Sequence, residues 1–280
     1  MELKGKSSLF AFICVLLYIA GSLTYSGQSS SIHGSFIIVA KVNDGIMMAS
    51  DSRCSFPYIN SKGIRSELAY IDNFQKIYIV GKNAIAVSGN FSIDNLFVST
   101  MLEEFKKTNN DDKLNIKGLL PAFFQFCKKH YSNYFYSKLV QETTLFAAGL
   151  DTAKIPRIYV SAASYGRIQE QVGNPPVAET DVSLFVPAFN QNMNCQQAGA
   201  IAEKSIKGYA ETHGLTDKIG GKIIIAKISS TGVDFIKDRP VQMQYKYVKD
   251  LINDITNGKI VPTFTSTANK LLFFKLYTVK

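Results

Sequence analysis

The sequence predicts an α+β protein, a four-layer αββα sandwich in which two antiparallel sheets are flanked by helices. Short β-branched segments occur in pairs joined by turn residues, a pattern typical of antiparallel hairpins. These pairs are grouped along the chain, and so are the helical segments between them. A parallel sheet built from βαβ units is disfavoured, because its strands and helices would alternate singly.

The first half of the chain contains two predicted hairpins followed by helices. Val42 to Gly45 carries the Asn-Asp-Gly turn signal of the first hairpin, and the second turns at Gly81 to Asn83. Ser92 has the residue type of an N-cap and opens an amphipathic helix. An aromatic-rich helix follows, with Pro121 near its start, where proline is tolerated. The predicted segments are strands at 35–41, 45–50, 75–80 and 84–88 and helices at 92–105 and 116–139.

The second half contains strands on both sides of one long helix. Ala198, Ala202 and Ile206 share one face of this helix, and Gly214 marks its end. The predicted segments are strands at 143–149, 155–162, 167–172, 222–228 and 233–236, a helix at 196–212, and a C-terminal helix with an extension packed on a neighbour within 240–280.

Composition favours one globular domain with a sizeable core, because 46% of the 280 residues are hydrophobic. The net charge is +9, and the stretch from Lys237 to Lys280 holds eight basic and three acidic residues. A solvated basic surface explains this excess. A patch for nucleic acid or acidic lipid is the alternative, but we find no nucleic-acid-binding motif in the sequence.

The N-terminus has the layout of a secretory signal peptide over residues 1–27. Lys4 and Lys6 precede an unbroken apolar run from Leu9 to Ala20, and small residues follow. The sequence therefore predicts a secreted or periplasmic protein. Two alternatives stay open: residues 9–23 as a membrane anchor if they are not removed, or residues 1–34 as the propeptide of a cytoplasmic protein.

The cysteines and histidines do not form a metal-binding pattern. Cys14, Cys54, Cys127 and Cys195 are widely spaced, and none of the three histidines stands at a zinc spacing. We therefore expect neither a metal site nor a cofactor.

Three residue types in order carry the chemistry. Ser35 directly follows Gly34, Asp51 ends the next strand in an Asp-Ser-Arg motif with Arg53, and Lys76 opens a later strand in Lys-Ile. Cleavage between the glycine and the serine would free an α-amine, which titrates near pH ~8 and can act as a base. A carboxylate can hold the lysine by a charge-assisted hydrogen bond, and the cation lowers the cost of forming an alkoxide.

This ordered set resembles the proteasome β-subunit family, including the bacterial proteasome-like proteases. The resemblance implies an N-terminal nucleophile (Ntn) hydrolase in which Ser35 is the nucleophile, with Asp51 sixteen residues later and Lys76 as the catalytic lysine. It also implies that Gly89 supplies an oxyanion-hole N–H. Lys76 comes later than in the family, because residues 54–74 form what we interpret as an enlarged loop.

The chain also departs from that family. The nucleophile is serine rather than threonine, and Phe185 to Asn190 replaces a glycine- and serine-rich loop. The residues that support the nucleophile are out of register, and Thr216 and Asp217 are the nearest candidates. Arg53 is expected to brace the loop near Asp51.

The resulting hypothesis is a peptidase or amidohydrolase that cleaves itself between Gly34 and Ser35 and works through an acyl-enzyme on Ser35. Peptides or proteins would be the substrates, and a ring-like homo-oligomer the assembly. The alternatives are a catalytically inactive structural subunit of a proteasome-like ring and a small-molecule Ntn amidase. The predicted domains are a signal peptide at 1–27, a spacer at 28–34, the hydrolase domain at 35–240 and a C-terminal extension at 241–280.

Overall fold

Two five-stranded antiparallel sheets face each other, and helices cover their outer faces, which confirms the predicted αββα sandwich. The structure is a computed structural model. It describes residues 35–109, 114–162, 167–172, 177–178, 189–190, 192–216, 218–239 and 245–277.

The first sheet has the strand order β12-β1-β2-β13-β14. Asp51 is the last residue of β2 and pairs with Ile223 of β13. The final residue of the central strand therefore carries a carboxylate at one end of the sheet. The strands are β1 (Ile37–Val42), β2 (Gly45–Asp51), β12 (Val177–Ala178), β13 (Ile223–Ser229) and β14 (Gly232–Lys237).

The second sheet has the order β11-β10-β9-β6-β5. Its edge strand β5 begins directly after Lys76, and its neighbour β6 ends at Gly89. The strands are β5 (Ile77–Val80), β6 (Asn83–Gly89), β9 (Thr143–Leu150), β10 (Pro156–Ser161) and β11 (Ile168–Glu170).

The outer helices differ from the prediction in two places. Ser92 is not an N-cap: residues 92–97 form the short ribbon β7 (Ser92–Ile93) and β8 (Leu96–Phe97), because Asp94 and Asn95 turn the chain with positive φ angles. The predicted helix 116–139 is two helices, because Ser132 interrupts it and caps the second by accepting a hydrogen bond from Phe135 N. The helices are α1 (Val98–Thr108), α2 (Ile116–His130), α3 (Asn133–Glu142) and α4 (Cys195–Thr212).

Three apolar clusters hold the layers together. One lies between the two sheets and includes Ile37, Met48 and Phe146. A second joins the first sheet to α4, and a third joins the second sheet to α1, α2 and α3. Alternating side chains of β1 enter two different clusters, since neighbouring residues of a strand point to opposite faces.

The expected enlarged loop at 54–74 is wrong, because this segment forms a hairpin of β3 (Cys54–Ile59) and β4 (Arg65–Ile71). The C-terminal segment packs on the same chain: β15 (Thr263–Phe264) pairs with β4, and the Phe56 and Phe273 rings lie 5.2 Å apart. Its expected packing on a neighbour stays a prediction. Aromatic side chains from both segments fill this contact, which explains the apolar composition near the C-terminus. The remaining helices are α5 (Val248–Thr256) and α6 (Thr267–Tyr277).

Several predictions fall on residues outside the described ranges. The signal peptide, the spacer with Gly34, most of the Phe185 to Asn190 segment, and Asp217 are among them. Within the described part of the chain, no helix combines the length and the apolar character needed to cross a membrane.

Candidate active site

Ser35 lies immediately before β1, at the place where the two sheets meet. Its Oγ donates a hydrogen bond of 3.5 Å to the carbonyl oxygen of Val87 on β6 of the second sheet. The side chain is only partly buried. The Ser35 hydroxyl is therefore bound to the second sheet, while the Ser35 backbone leads into β1 of the first sheet.

Asp51 is the centre of the site, with a fully buried carboxylate. Its Oδ1 accepts hydrogen bonds from Phe36 N at 2.8 Å and from Lys76 Nζ at 2.7 Å. Its Oδ2 accepts from Arg53 N at 3.2 Å and from Gly220 N at 3.1 Å. Three backbone amides and one ammonium group thus fix the carboxylate, and one of those amides belongs to the residue after Ser35.

Lys76 is likewise 0% exposed, which is unusual for a lysine side chain. Burial lowers the pKa of its ammonium below the ordinary value of 10.5, and the negative charge and hydrogen bond of Asp51 partly offset this effect. The Nζ atom also lies 5.4 Å from the centre of the Phe91 ring. The site thus contains a desolvated cation with the Asp51 carboxylate as its ion-pair partner.

Gly89 ends β6, two residues after Val87. Val87 N donates to Lys76 O at 2.9 Å, and because amides alternate along a strand, the Gly89 N–H points to the same edge of β6. Its φ angle is +79°, and a Cβ atom built there would lie 2.6 Å from the carbonyl oxygen of Glu142. This position therefore requires glycine, and it presents a backbone donor near Ser35.

The supporting residues named from the sequence differ in their placement. The Arg53 guanidinium binds both oxygens of Asp72, through Nε at 2.7 Å and Nη2 at 2.9 Å. Its Nη1 donates to the carbonyl oxygen of Thr216, whose own side chain is exposed. Burial opposes the charge of Arg53, but the hydrogen bonds and charge of Asp72 outweigh it and raise the pKa of the guanidinium.

The structure adds residues that the motifs did not point to. Asp72, the Tyr70 ring, and the backbone amides of Phe36 and Gly220 all contact the Asp51–Arg53 segment. Gly220 was not among the site residues predicted from the sequence. A pair of glycines before a strand is the one sequence signal that could have indicated a close backbone approach here.

The chemistry available at the site is that of a hydroxyl and an ion pair. Cys54 is buried beside Lys76 and Asp51, and burial raises the pKa of its thiol well above the ordinary value, so this thiol stays protonated. No group of three or more histidine, cysteine, aspartate or glutamate side chains is placed to hold a metal ion within the described ranges.

Comparison with known proteins identifies a fold. No family model matches the chain, and no curated protein matches it. Among solved structures, a Gly-1 mutant of Anbu from Hyphomicrobium sp. strain MC1 is similar, with 13% sequence identity and a TM-score of 0.54. The match covers 81% of this chain and 95% of that chain. The fold is of the Ntn type.

The assignment of this chain to the proteasome β-subunit family is wrong, because no family model matches and the likeness to Anbu at 13% identity shows the fold alone. The relationship is a distant one of fold. The motifs misled because each is only two or three residues long, and such short patterns also occur in unrelated chains. The catalytic roles of Ser35, Asp51, Lys76 and Gly89 stay predictions.

Proposed function

We propose that this protein is an amidohydrolase or peptidase that cleaves itself between Gly34 and Ser35 and then uses Ser35 as an N-terminal nucleophile. The observation that supports this most is the buried Asp51 carboxylate, which binds both the Lys76 ammonium and the amide of Phe36. One rigid group thereby positions a cation and the backbone of Phe36, the residue that follows Ser35. A surface serine in an ordinary strand has no need of such an arrangement.

The proposed reaction follows from these positions. Self-cleavage adds water across the Gly34–Ser35 peptide bond and leaves a carboxylate on Gly34 and an amine on Ser35. That amine takes the proton of the Ser35 hydroxyl as the oxygen attacks a substrate carbonyl. Lys76 stabilises the developing alkoxide, and the N–H of Gly89 stabilises the oxyanion. The amine leaving group departs with a proton, and water hydrolyses the ester on Ser35.

Intact mass and N-terminal sequencing of the full-length protein test the proposal. We expect the wild type to begin at Ser35 and a Ser35→Ala variant to keep the preceding residues. Ser161→Ala is the matched control, because Ser161 is another buried serine, on β10, and its Oγ lacks a hydrogen-bond partner among the described residues.

Activity is tested in the same samples with a labelled β-lactone, which acylates nucleophilic hydroxyl groups. The label should add its mass to the peptide that begins at Ser35 in the wild type and in Ser161→Ala, but not in Ser35→Ala. A wild type that keeps the Gly34–Ser35 bond and takes no label would overturn the proposal and favour a non-catalytic structural protein.

Location and assembly are further parts of the proposal. The basic start and apolar run of residues 1–27 favour removal by a signal peptidase and secretion or transport to the periplasm. We expect association with further copies of the same chain. Native mass measurement tests the second point, and a monomer at all concentrations would contradict it.

A further inference from the structure

The Arg53 guanidinium is held on all sides by groups outside the Asp-Ser-Arg motif. In its plane it binds Asp72 through two hydrogen bonds and the carbonyl oxygen of Thr216 through a third. On one face its Cζ lies 3.7 Å from the centre of the Tyr70 ring. On the other face lies Gly220, where an added Cβ would stand 2.8 Å from Cζ. We refer to Arg53, Tyr70 and Asp72, together with Thr216, Gly220 and Gly221, as the guanidinium clamp.

The clamp fastens together the chain segments that surround Asp51. Ser52 N donates to Gly220 O at 3.1 Å, and Phe74 N donates to Ser52 O at 2.8 Å. A Cβ added to Gly221 would lie 2.6 Å from Ser52 Oγ and 3.0 Å from Asp72 Oδ1. Asp72, Ser52, Gly220 and Gly221 are therefore in close contact, and we expect a displacement of Asp72 to shift Gly220 and Gly221 as well.

Both donors to Asp51 Oδ2 come from this clamp. One is the backbone N–H of Arg53 itself, and the other is the backbone N–H of Gly220. Gly220 packs closely against the Arg53 guanidinium. The opposite oxygen, Oδ1, binds Lys76 Nζ. The clamp thus binds one oxygen of the Asp51 carboxylate, Oδ2, and thereby orients the other oxygen, Oδ1, toward Lys76.

We propose that Asp72 and Tyr70, which lie outside the motif residues, are positioning residues that hold Asp51 against Lys76 through Arg53 and Gly220. As far as catalysis is concerned, this inference rests on the proposed function. The effect on Lys76 itself does not depend on catalysis, so the two can be tested separately.

The charged and titratable groups around Lys76 determine the direction of the effect. Asp51, Cys54 and Asp72 act on the lysine directly, Glu67 lies near Cys54, and Arg53 lies near Asp51. If Asp51 turns away, Lys76 loses its partner, and burial lowers the pKa of its ammonium further. The lysine then loses its proton at lower pH, and the alkaline limb of activity moves to lower pH.

The first experiment compares Asp72→Asn with Asp151→Asn. Asp151 is the matched control, because it also pairs with an arginine, Arg157, at 2.9 Å but lies on the turn between β9 and β10. We expect Asp72→Asn to lower the pKa of Lys76. NMR of ¹³C-labelled lysine side chains measures this titration, and the signal that is missing in Lys76→Arg identifies Lys76. We also expect kcat to fall about tenfold with KM unchanged, because the reacting groups are misplaced. Asp151→Asn should change neither.

Asp72 also acts on Lys76 through its own charge, so an uncharged change is needed to isolate positioning. Tyr70→Leu removes the aromatic ring that packs against the Arg53 guanidinium and changes no charge. It also tests the positioning role if Asp72→Asn fails to fold. Its control is Tyr134→Leu, which removes a ring that lies 5.7 Å from Lys138 Nζ. We expect Tyr70→Leu to lower the pKa of Lys76 and Tyr134→Leu to leave it unchanged.

The possible outcomes are distinct. If the Lys76 titration in Tyr70→Leu matches that in Tyr134→Leu, the positioning role is wrong, even if Asp72→Asn shifts it through lost charge and whether or not the wild type hydrolyses amides. If the wild type neither cleaves itself nor takes the β-lactone, the proposed function fails, while a shifted Lys76 titration would still support the clamp.

Discussion

Two ion-pair sites of this protein have nearly the same contact distances and very different surroundings. Lys76 Nζ lies 2.7 Å from Asp51 Oδ1, and both side chains are 0% exposed. Arg157 lies 2.9 Å from Asp151 and 2.8 Å from Glu170, and all three side chains are partly exposed. Contact distance alone therefore does not indicate what a pair does.

The difference lies in the solvent. Water screens the Arg157 pairs, and such pairs contribute little to stability. The Asp51–Lys76 pair has lost its water, so the charges interact strongly but have been desolvated at a high cost. Buried pairs of this kind are common at functional sites, which is why the proposed function centres on this pair.

The largest expected effect comes from removing Asp51. Asp51→Ala leaves a buried ammonium and three backbone amides without their acceptor, so we expect a loss of about 3–5 kcal/mol in the free energy of unfolding. Self-cleavage should be abolished as well. Urea unfolding and intact mass measure the two results.

Lys76→Met is the counterpart, because it removes the cation and keeps the three amides on Asp51. It should therefore destabilise the protein less than Asp51→Ala, while it abolishes cleavage equally. Equal losses of stability in the two variants would contradict the view that the backbone amides, and not only the lysine, hold the carboxylate.

The next effect compares a glycine at the site with one at the surface. Gly89 and Gly63 have φ angles of +79° and +75°, but only at Gly89 would a Cβ meet the backbone, at Glu142 O. Gly63→Ala should cost about 1 kcal/mol for the left-handed conformation. Gly89→Ala should cost about 3 kcal/mol and lower kcat, because the clash displaces the N–H. Thermal unfolding measures both, and similar losses would show that the site is not tightly packed there.

The pH dependence of stability should have opposite signs for a buried and a surface lysine. Burial lowers the pKa of Lys76 below 10.5. At pH values between its folded-state pKa and 10.5, the unfolded chain therefore binds more protons than the folded one. In this range the contribution of Lys76 to stability rises with pH. The hydrogen bond and charge of Asp44 raise the pKa of Lys227, so its contribution is present below 10.5 and is lost as the pH rises through its folded-state pKa.

Lys76→Met and Lys227→Met test this difference. Urea unfolding at a series of pH values should show that Lys76→Met removes a rise in stability toward alkaline pH, of at most about 1.4 kcal/mol per pH unit. Lys227→Met should remove a decline. A rise that survives in Lys76→Met would mean that another group causes it.

The smallest effect is expected at the surface pairs. Arg157→Ala breaks contacts with both Asp151 and Glu170, yet the thermal midpoint and the rate of self-cleavage should match those of the wild type. A clear drop in the thermal midpoint or in the rate of self-cleavage would show that the two ion-pair sites differ less in their importance than their exposure indicates.

Much of the fold could be predicted from local signals. Asn-Asp-Gly at 43–45 gives the first hairpin, and the apolar face of Ala198, Ala202 and Ile206 indicates α4. Local signals gave wrong predictions of secondary structure where tertiary contacts determine it. Ser92 has the residue type of a cap but lies in a ribbon, and the helix predicted through residue 139 is divided by Ser132, an equally ordinary polar residue. The hairpin at 54–71 is paired on one side by β15, about 200 residues away, which no local pattern indicates.

The sequence by itself determined the order and spacing of a serine, an aspartate and a lysine, and the alternation of apolar residues that forms the two sheets. It also contained the short motifs that led to a wrong family assignment. The pairing of Asp51 with Lys76 was expected from the motifs. Only the tertiary structure showed that the backbone amides of Phe36, Arg53 and Gly220 also bind Asp51, because these groups lie on segments up to 169 residues apart. Side-chain burial and backbone amides depend on how those segments pack, and a linear pattern carries neither.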